Sequence, residues 1–274
     1  MGAVETARST ARRAAYSPTV EAIARVGYAI RGVLYILIGL LALRLALGIG
    51  GQQPSPQGAL ATIAQQPAGH VLLWIVFIGL LAYALWCLIK AVFNVMHQSA
   101  GSRFGSLINA VVYAFLAWTA YAFINGNSSA AASGGSQSKF LAQIMMLPAG
   151  RLIAGAVGLI IVLVGISLMG KGVNGTFERD FNSYALTRDE ARMARQTGRL
   201  GTFAQGLVLT IIGLLIMYAA YTSNPGQATG INTVFTTLMA HPYGIAVVLI
   251  LGLGLVAFGI YSLMAAAWFR LRRS

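Results

Sequence analysis

Six apolar runs, each of about twenty residues or more, dominate the chain: about 28–49, 70–93, 106–124, 150–170, 204–222 and 243–268. A helix rises ~1.5 Å per residue, so a run of this length crosses a hydrocarbon core of ~30 Å. Inside such a core every backbone N–H and C=O must be bonded within the protein, and an apolar run this long achieves that as a helix. The predicted class is therefore an all-α polytopic membrane protein with six transmembrane helices. Composition agrees, with 57% hydrophobic and 9% charged residues in 274, against about 25% charged in soluble domains. The first run is long and has no convincing cleavage site, so it reads as a span rather than a signal peptide.

The loops alternate in kind. Those after the first, third and fifth runs (50–66, 125–137 and 223–232) are rich in Gly, Pro, Ser, Gln and Asn. Those after the second and fourth carry charge, above all 171–199 with five arginines. Within that segment Thr187 to Arg195 reads as a short interfacial helix opened by a Thr-x-x-Glu capping box. Of the 19 Lys and Arg, Arg44, Lys139 and Arg151 fall on one side of the six runs. The other 16 share the side of both termini with all six acidic residues. Positive charge accumulates on cytoplasmic loops, which predicts the cytoplasmic (inner) membrane with both termini in the cytoplasm. The same rule accounts for the net charge of +13 without nucleic acid. The expected partner is the anionic headgroup layer of that face, with a membrane-protein partner or a second copy of the chain left open.

The runs are not independent. Gly27, Gly105 and Gly201 each open an odd-numbered run. Each is followed four residues later by a polar residue (Arg31, Asn109, Gln205) and then by a small one (Gly32, Ala110, Gly206). Pro67-Ala-Gly69, Pro148-Ala-Gly150 and Pro242-Tyr-Gly244 stand before the even-numbered runs, where proline and glycine end a loop and admit a new helix. Gly-to-Pro intervals of 40, 43 and 41 residues follow from those positions. The chain thus reads as three tandem parallel helical-hairpin repeats with a pseudo-threefold relation about the membrane normal. The divisions are a basic segment 1–24, repeat 1 over 25–100, repeat 2 over 101–173, a charged loop 174–199, and repeat 3 over 200–274.

The Gly-Tyr-x-x-Arg-Gly-x-x-Tyr-x-x-x-Gly opening from Gly27, the Pro-x-Gly helix starts and the threefold hairpin plan resemble a bacterial membrane family, domain of unknown function 1206. The resemblance covers 25–270 and implies a topology but no activity, cofactor or site residue. Repeat 2 departs from the pattern with Asn109 and Ala117, and repeat 3 with Gln205 and Leu209.

Two sets of side chains are candidate sites. Arg31, Asn109 and Gln205 lie at one register, and polar groups inside spans default to a functional role, here an anion or lipid site. The competing use is snorkelling of Arg31 to phosphate, with Asn109 and Gln205 bonding neighbouring helices. Arg44, His70 and Arg151 form a candidate basic site on the outer face, or else act as interfacial anchors. His70, His97 and His241 have no metal-ligand spacing. The tyrosines and tryptophans read as interfacial belts and packing, and Cys87 as a small buried hydrophobe.

No Asp or Glu lies inside a run, which removes carboxylate proton relays and carboxylate cation sites. No phosphate loop, nucleophile triad or zinc helix is present. The expectation is a non-enzymatic scaffold or accessory subunit without a cofactor. The alternative is a transporter or channel for an uncharged or anionic small solute or lipid.

Overall fold

A computed structural model describes residues 17–93, 100–127, 149–175, 188–222 and 231–268. The segment before Ser17, Lys139, His97 and the first half of the charged loop (176–187) lie outside the described residues. Those described are helical, without strands: α1 (Pro18–Ala46), α2 (Pro56–Ala64), α3 (Gly69–Phe93), α4 (Ala100–Ile124), α5 (Gly150–Asn174), α6 (Arg188–Thr222), α7 (Ile231–Met239) and α8 (Gly244–Trp268). Six of them, all but α2 and α7, are long and apolar enough to cross a membrane.

Local chemistry sets the helix ends. Ser17 Oγ accepts from the Val20 N–H at 3.3 Å, Pro18 fills the first turn, and Glu21 sits where the helix dipole favours an anion. Glu21 also pairs with Arg25 at 2.9 Å. At the far end Gly48 takes φ +68° and stops α1. Gly69 and Gly244 open α3 and α8 hard against the ends of the short helices that precede them. A Cβ at Gly69 would strike the Ala64 carbonyl, and one at Gly244 the Leu238 carbonyl. That is the physical need behind the Pro-x-Gly element.

Two expectations are corrected. The described part of the charged segment, 188–199, is not a separate interfacial helix; it is the first third of α6, which runs unbroken for 35 residues. Glu190 to Gln196 are mostly strong helix formers, and Asp189 and Glu190 stand in the first turn, so nothing ends the helix where hydropathy falls. The loops after the first and fifth runs also hold α2 and α7. Helix α2 is capped by Ser55 Oγ, which accepts from the Gly58 N–H at 3.0 Å. Leu60 of α2 and Phe235 of α7 are fully enclosed, so each short helix packs apolar side chains into the bundle.

The long helices pair in the order α4–α3–α1–α8–α6–α5, the tightest contacts being α5 with α6 and α8 with α1. Those two pairs are glycine seams. Gly32 faces Gly259 and Gly39 faces Gly252 between α1 and α8. Between α6 and α5, Gly206 faces Gly165 and Gly213 faces Gly158. The spacing of seven residues keeps each pair on one face, and the missing side chains let backbones touch. Alanine replaces glycine at the matching positions of α4, where Ala110 and Ala117 are buried. Helices α4 and α5 are consecutive spans yet do not pack along their length. The main apolar core draws on the other helices, while Ala154 of α5 joins only a small cluster with Ala219 and Ala220 of α6.

A caged arginine as candidate functional site

Arg31 stands on the stripe of α1 that also carries Tyr28 and Tyr35, at steps of three and four residues. This stripe faces inward. Arg31 Nη1 donates to Tyr83 Oη of α3 at 2.7 Å. Its guanidinium carbon lies 4.5 Å from the Phe258 ring centroid, 5.3 Å from that of Tyr83 and 5.7 Å from that of Tyr35. Tyr28 and Tyr113 extend the cage edge-on to Tyr83, with centroids 5.5 and 4.4 Å away. Gln205 of α6 enters by donating its side-chain amide to Tyr35 Oη at 2.9 Å. Five long helices (α1, α3, α4, α6 and α8) thus meet around one cation, and α5 stands aside.

The energetics of this arrangement are finely balanced. An arginine within a span costs at most about 2.5–3.5 kcal/mol on insertion scales, or 10 or more on an isolated helix, the values for the bilayer centre. Each desolvated cation–π contact returns about 2 kcal/mol, and a hydrogen bond to a charged group about 1.5–3. Three rings and one phenol therefore offset the lower figure and fall short of the upper. Arg31 Nε is enclosed and has no acceptor, while the side chain as a whole keeps part of its surface open. No carboxylate lies within the six apolar runs to neutralise it. Among the described residues the site is a cation with no paired carboxylate and with donor capacity to spare, the chemistry of an anion receptor.

Of the first candidate set, Arg31 and Gln205 come together through Tyr35, whereas Asn109 is exposed on α4. Arg31 does not snorkel outward; the rings hold it in. Of the second set, Arg44, His70 and Arg151 are all exposed, and Arg44 is committed locally, donating from Nη2 to the Gly50 carbonyl at 2.8 Å. His241 Nδ1 lies 3.0 Å from the Thr237 carbonyl oxygen. Among the described residues no three His, Cys, Asp or Glu side chains form a metal-holding group.

Sequence reading missed the cage because tyrosine has two uses in a membrane. Tyr28, Tyr83 and Tyr113 are buried core residues, whereas Trp118 is 67% exposed and suits a belt. A signal was present. Tyr35 and Tyr113 both stand eight residues beyond their opening glycines, and Tyr83 and Phe258 both fourteen beyond their helix-starting glycines. Aromatic residues recurring at one register mark an inward face more surely than aromatic content does.

The second pronounced feature is basic. Arg188, Arg192, Arg195 and Arg199, at steps of four, three and four, share one face of α6. With Ala191 and Gln196 they line an open depression of about 460 Å³.

Comparison with known proteins gives a family without an assigned activity. The chain is 29% identical over 252 residues to a Bacillus subtilis (strain 168) protein described as uncharacterized protein YxxB, covering 90% of each chain. No solved structure matches significantly. The family model described as Domain of Unknown Function (DUF1206) matches three times, over 26–94, 104–175 and 200–269. The chain belongs to this family, and carries three tandem copies of its domain.

Proposed function

We propose that the protein is a non-enzymatic scaffold or accessory subunit of the cytoplasmic membrane. In this reading three two-span hairpins are related by a pseudo-threefold axis along the membrane normal, with both termini in the cytoplasm. One observation carries it: α6 is longer than a bilayer is thick and bears four arginines on one face of its first third. Thirty-five residues make a helix of ~52 Å, whereas a bilayer with its headgroups measures ~40–45 Å. Counted from Thr222, Arg199 lies ~35 Å along the helix, among the inner headgroups, and Arg192 and Arg188 lie ~45 and ~51 Å along it. The last two stand beyond the headgroup layer, facing an aqueous partner. Four arginines on one face select an acidic protein surface by charge complementarity. Arg188→Glu, Arg192→Glu and Arg195→Glu together abolish co-purification of that partner from gently extracted membranes, with bundle stability retained. Unchanged co-purification refutes the reading.

A second reading is transport of an uncharged or anionic small solute or a lipid. The partly open Arg31 side chain inside the bundle favours it. Arg31→Ala then lowers flux into liposomes, and no flux above empty liposomes over a broad solute panel counts against it.

A further inference from the structure

The first and third hairpins close through one glycine each. Gly79 of α3 takes the Ile30 side chain where a Cβ would stand, and Gly254 of α8 likewise takes Ala204. The equivalent position of the second hairpin, ten residues beyond Gly150, is Ile160. Its counterpart on α4, three residues beyond Gly105, is Ile108. Two isoleucines cannot occupy the place of one isoleucine and a bare backbone. They stay 38% and 43% exposed, and a Cβ at Gly105 would have nothing within 4 Å. The corresponding Gly27 and Gly201 are jammed against Tyr83 and Phe258. The α4–α5 hairpin lacks this glycine contact, and its two helices do not pack along their length.

This slot has an apolar wall and a polar end. Ile108 and Val112 share one face of α4, Ile160 and Val164 one face of α5, and all four are exposed. Asn109, exposed on α4, stands at the same register as Arg31. Behind it Tyr113 leads to Tyr83, the acceptor of Arg31. Fifteen residues separate Arg31 from Ala46, ~22 Å along α1, so the cation sits ~8 Å inside the opposite edge of a ~30 Å core.

We propose that the slot between α4 and α5 seats one anionic phospholipid. An acyl chain lies against Ile108, Val112, Ile160 and Val164, and the phosphate is drawn past Asn109 to Arg31. Phosphate supplies the charge that the spans lack and the acceptors that the guanidinium fork still has room for. The inference rests on the repeat register proposed above and is independent of a soluble partner at α6.

Native mass spectrometry of protein released from vesicles of equimolar phosphatidylglycerol and phosphatidylcholine tests it. Wild type retains one phosphatidylglycerol per chain in preference to phosphatidylcholine. Arg31→Gln reduces that retention about tenfold or more, the loss of one charged hydrogen bond. Ile160→Gly recreates the Ile30–Gly79 combination of the first hairpin, lets the slot close, and reduces retention similarly with Arg31 intact. Arg44→Gln, remote from the slot, leaves it unchanged. A photoreactive side chain replacing Val164 cross-links to phosphatidylglycerol. Equal retention of both lipids, full retention by Ile160→Gly, displacement by inorganic phosphate, or cross-linking to a second copy instead of lipid would each overturn the proposal.

Discussion

Replacing Gly39 by alanine tests whether backbone contact along the glycine seams holds the bundle together. A Cβ at Gly39 would lie 2.7 Å from the Gly252 carbonyl oxygen and from Val256 Cγ2, and 2.9 Å from the Val256 N. Ordinary contact begins near 3.4 Å, so α1 and α8 must part by roughly 0.7 Å, and two of the three obstructing atoms are backbone that cannot turn aside. A gap of that size forfeits a quarter to a half of each contact's dispersion energy along the seam. Overpacking of this kind costs about 1–3 kcal/mol. The control is Gly155→Ala on α5, where the added methyl meets nothing within 4 Å. There the helix-propensity gain of about 0.5–1 kcal/mol stands alone. The two variants carry the same chemical change within a spanning helix, yet differ by about 1–3 kcal/mol in opposite senses if the geometry governs. Reversible unfolding in mixed detergent, read by loss of helical circular dichroism, measures the difference. Equal midpoints for Gly39→Ala and Gly155→Ala would refute the seam as a source of stability.

Tyr83→Phe keeps the ring beside Arg31 and deletes only the acceptor. It leaves Nη1 unpaired and lowers stability by about 1–3 kcal/mol; an unchanged unfolding midpoint would show that the rings alone hold the cation. Phe235→Ala empties a fully enclosed site under α7 and costs about 3–5 kcal/mol if α7 unfolds with the bundle. Hydrogen exchange should then accelerate over 231–239 and at the adjoining start of α8, and protection equal to wild type there would mean that α7 contributes no packing.

The fold was legible where apolar runs meet a sharp structural stop. Gly69, Gly150 and Gly244 begin α3, α5 and α8 within a residue of the expected starts, and at Gly69 and Gly244 the Pro-x-Gly step is a steric event as well as a change of polarity. The opposite ends were not legible. Helix α1 begins ten residues before its apolar run and α6 sixteen before. Hydropathy marks where water ends, and a chain of good helix formers is under no obligation to stop there. Helices α2 and α7 lay hidden in loops whose Gly, Pro and Ser content suggested coil. The Ser55-Pro56 start and the spacing of Ile231, Val234, Phe235 and Leu238 were nevertheless sequence signals for both. The register of Arg31, Asn109 and Gln205 singled out a cation within the bundle, but not its company. Asn109 is exposed on α4, which does not pack along α5, and a pattern read within one hairpin contains no information about that distance.

The pairing order also sets a schedule. The chief neighbour of the first span is the last one, since α1 is joined to α8 through Gly32, Gly39, Gly252 and Gly259. About 200 residues separate Ala46 from Gly244, which at ~5–20 residues per second is some 10–40 s of synthesis. During that interval the newly inserted α1 lacks its closest partner, its seam open to lipid and to any other small-residue helix nearby. Completion of the chain, rather than completion of each hairpin, is the event that commits this protein to its final neighbours.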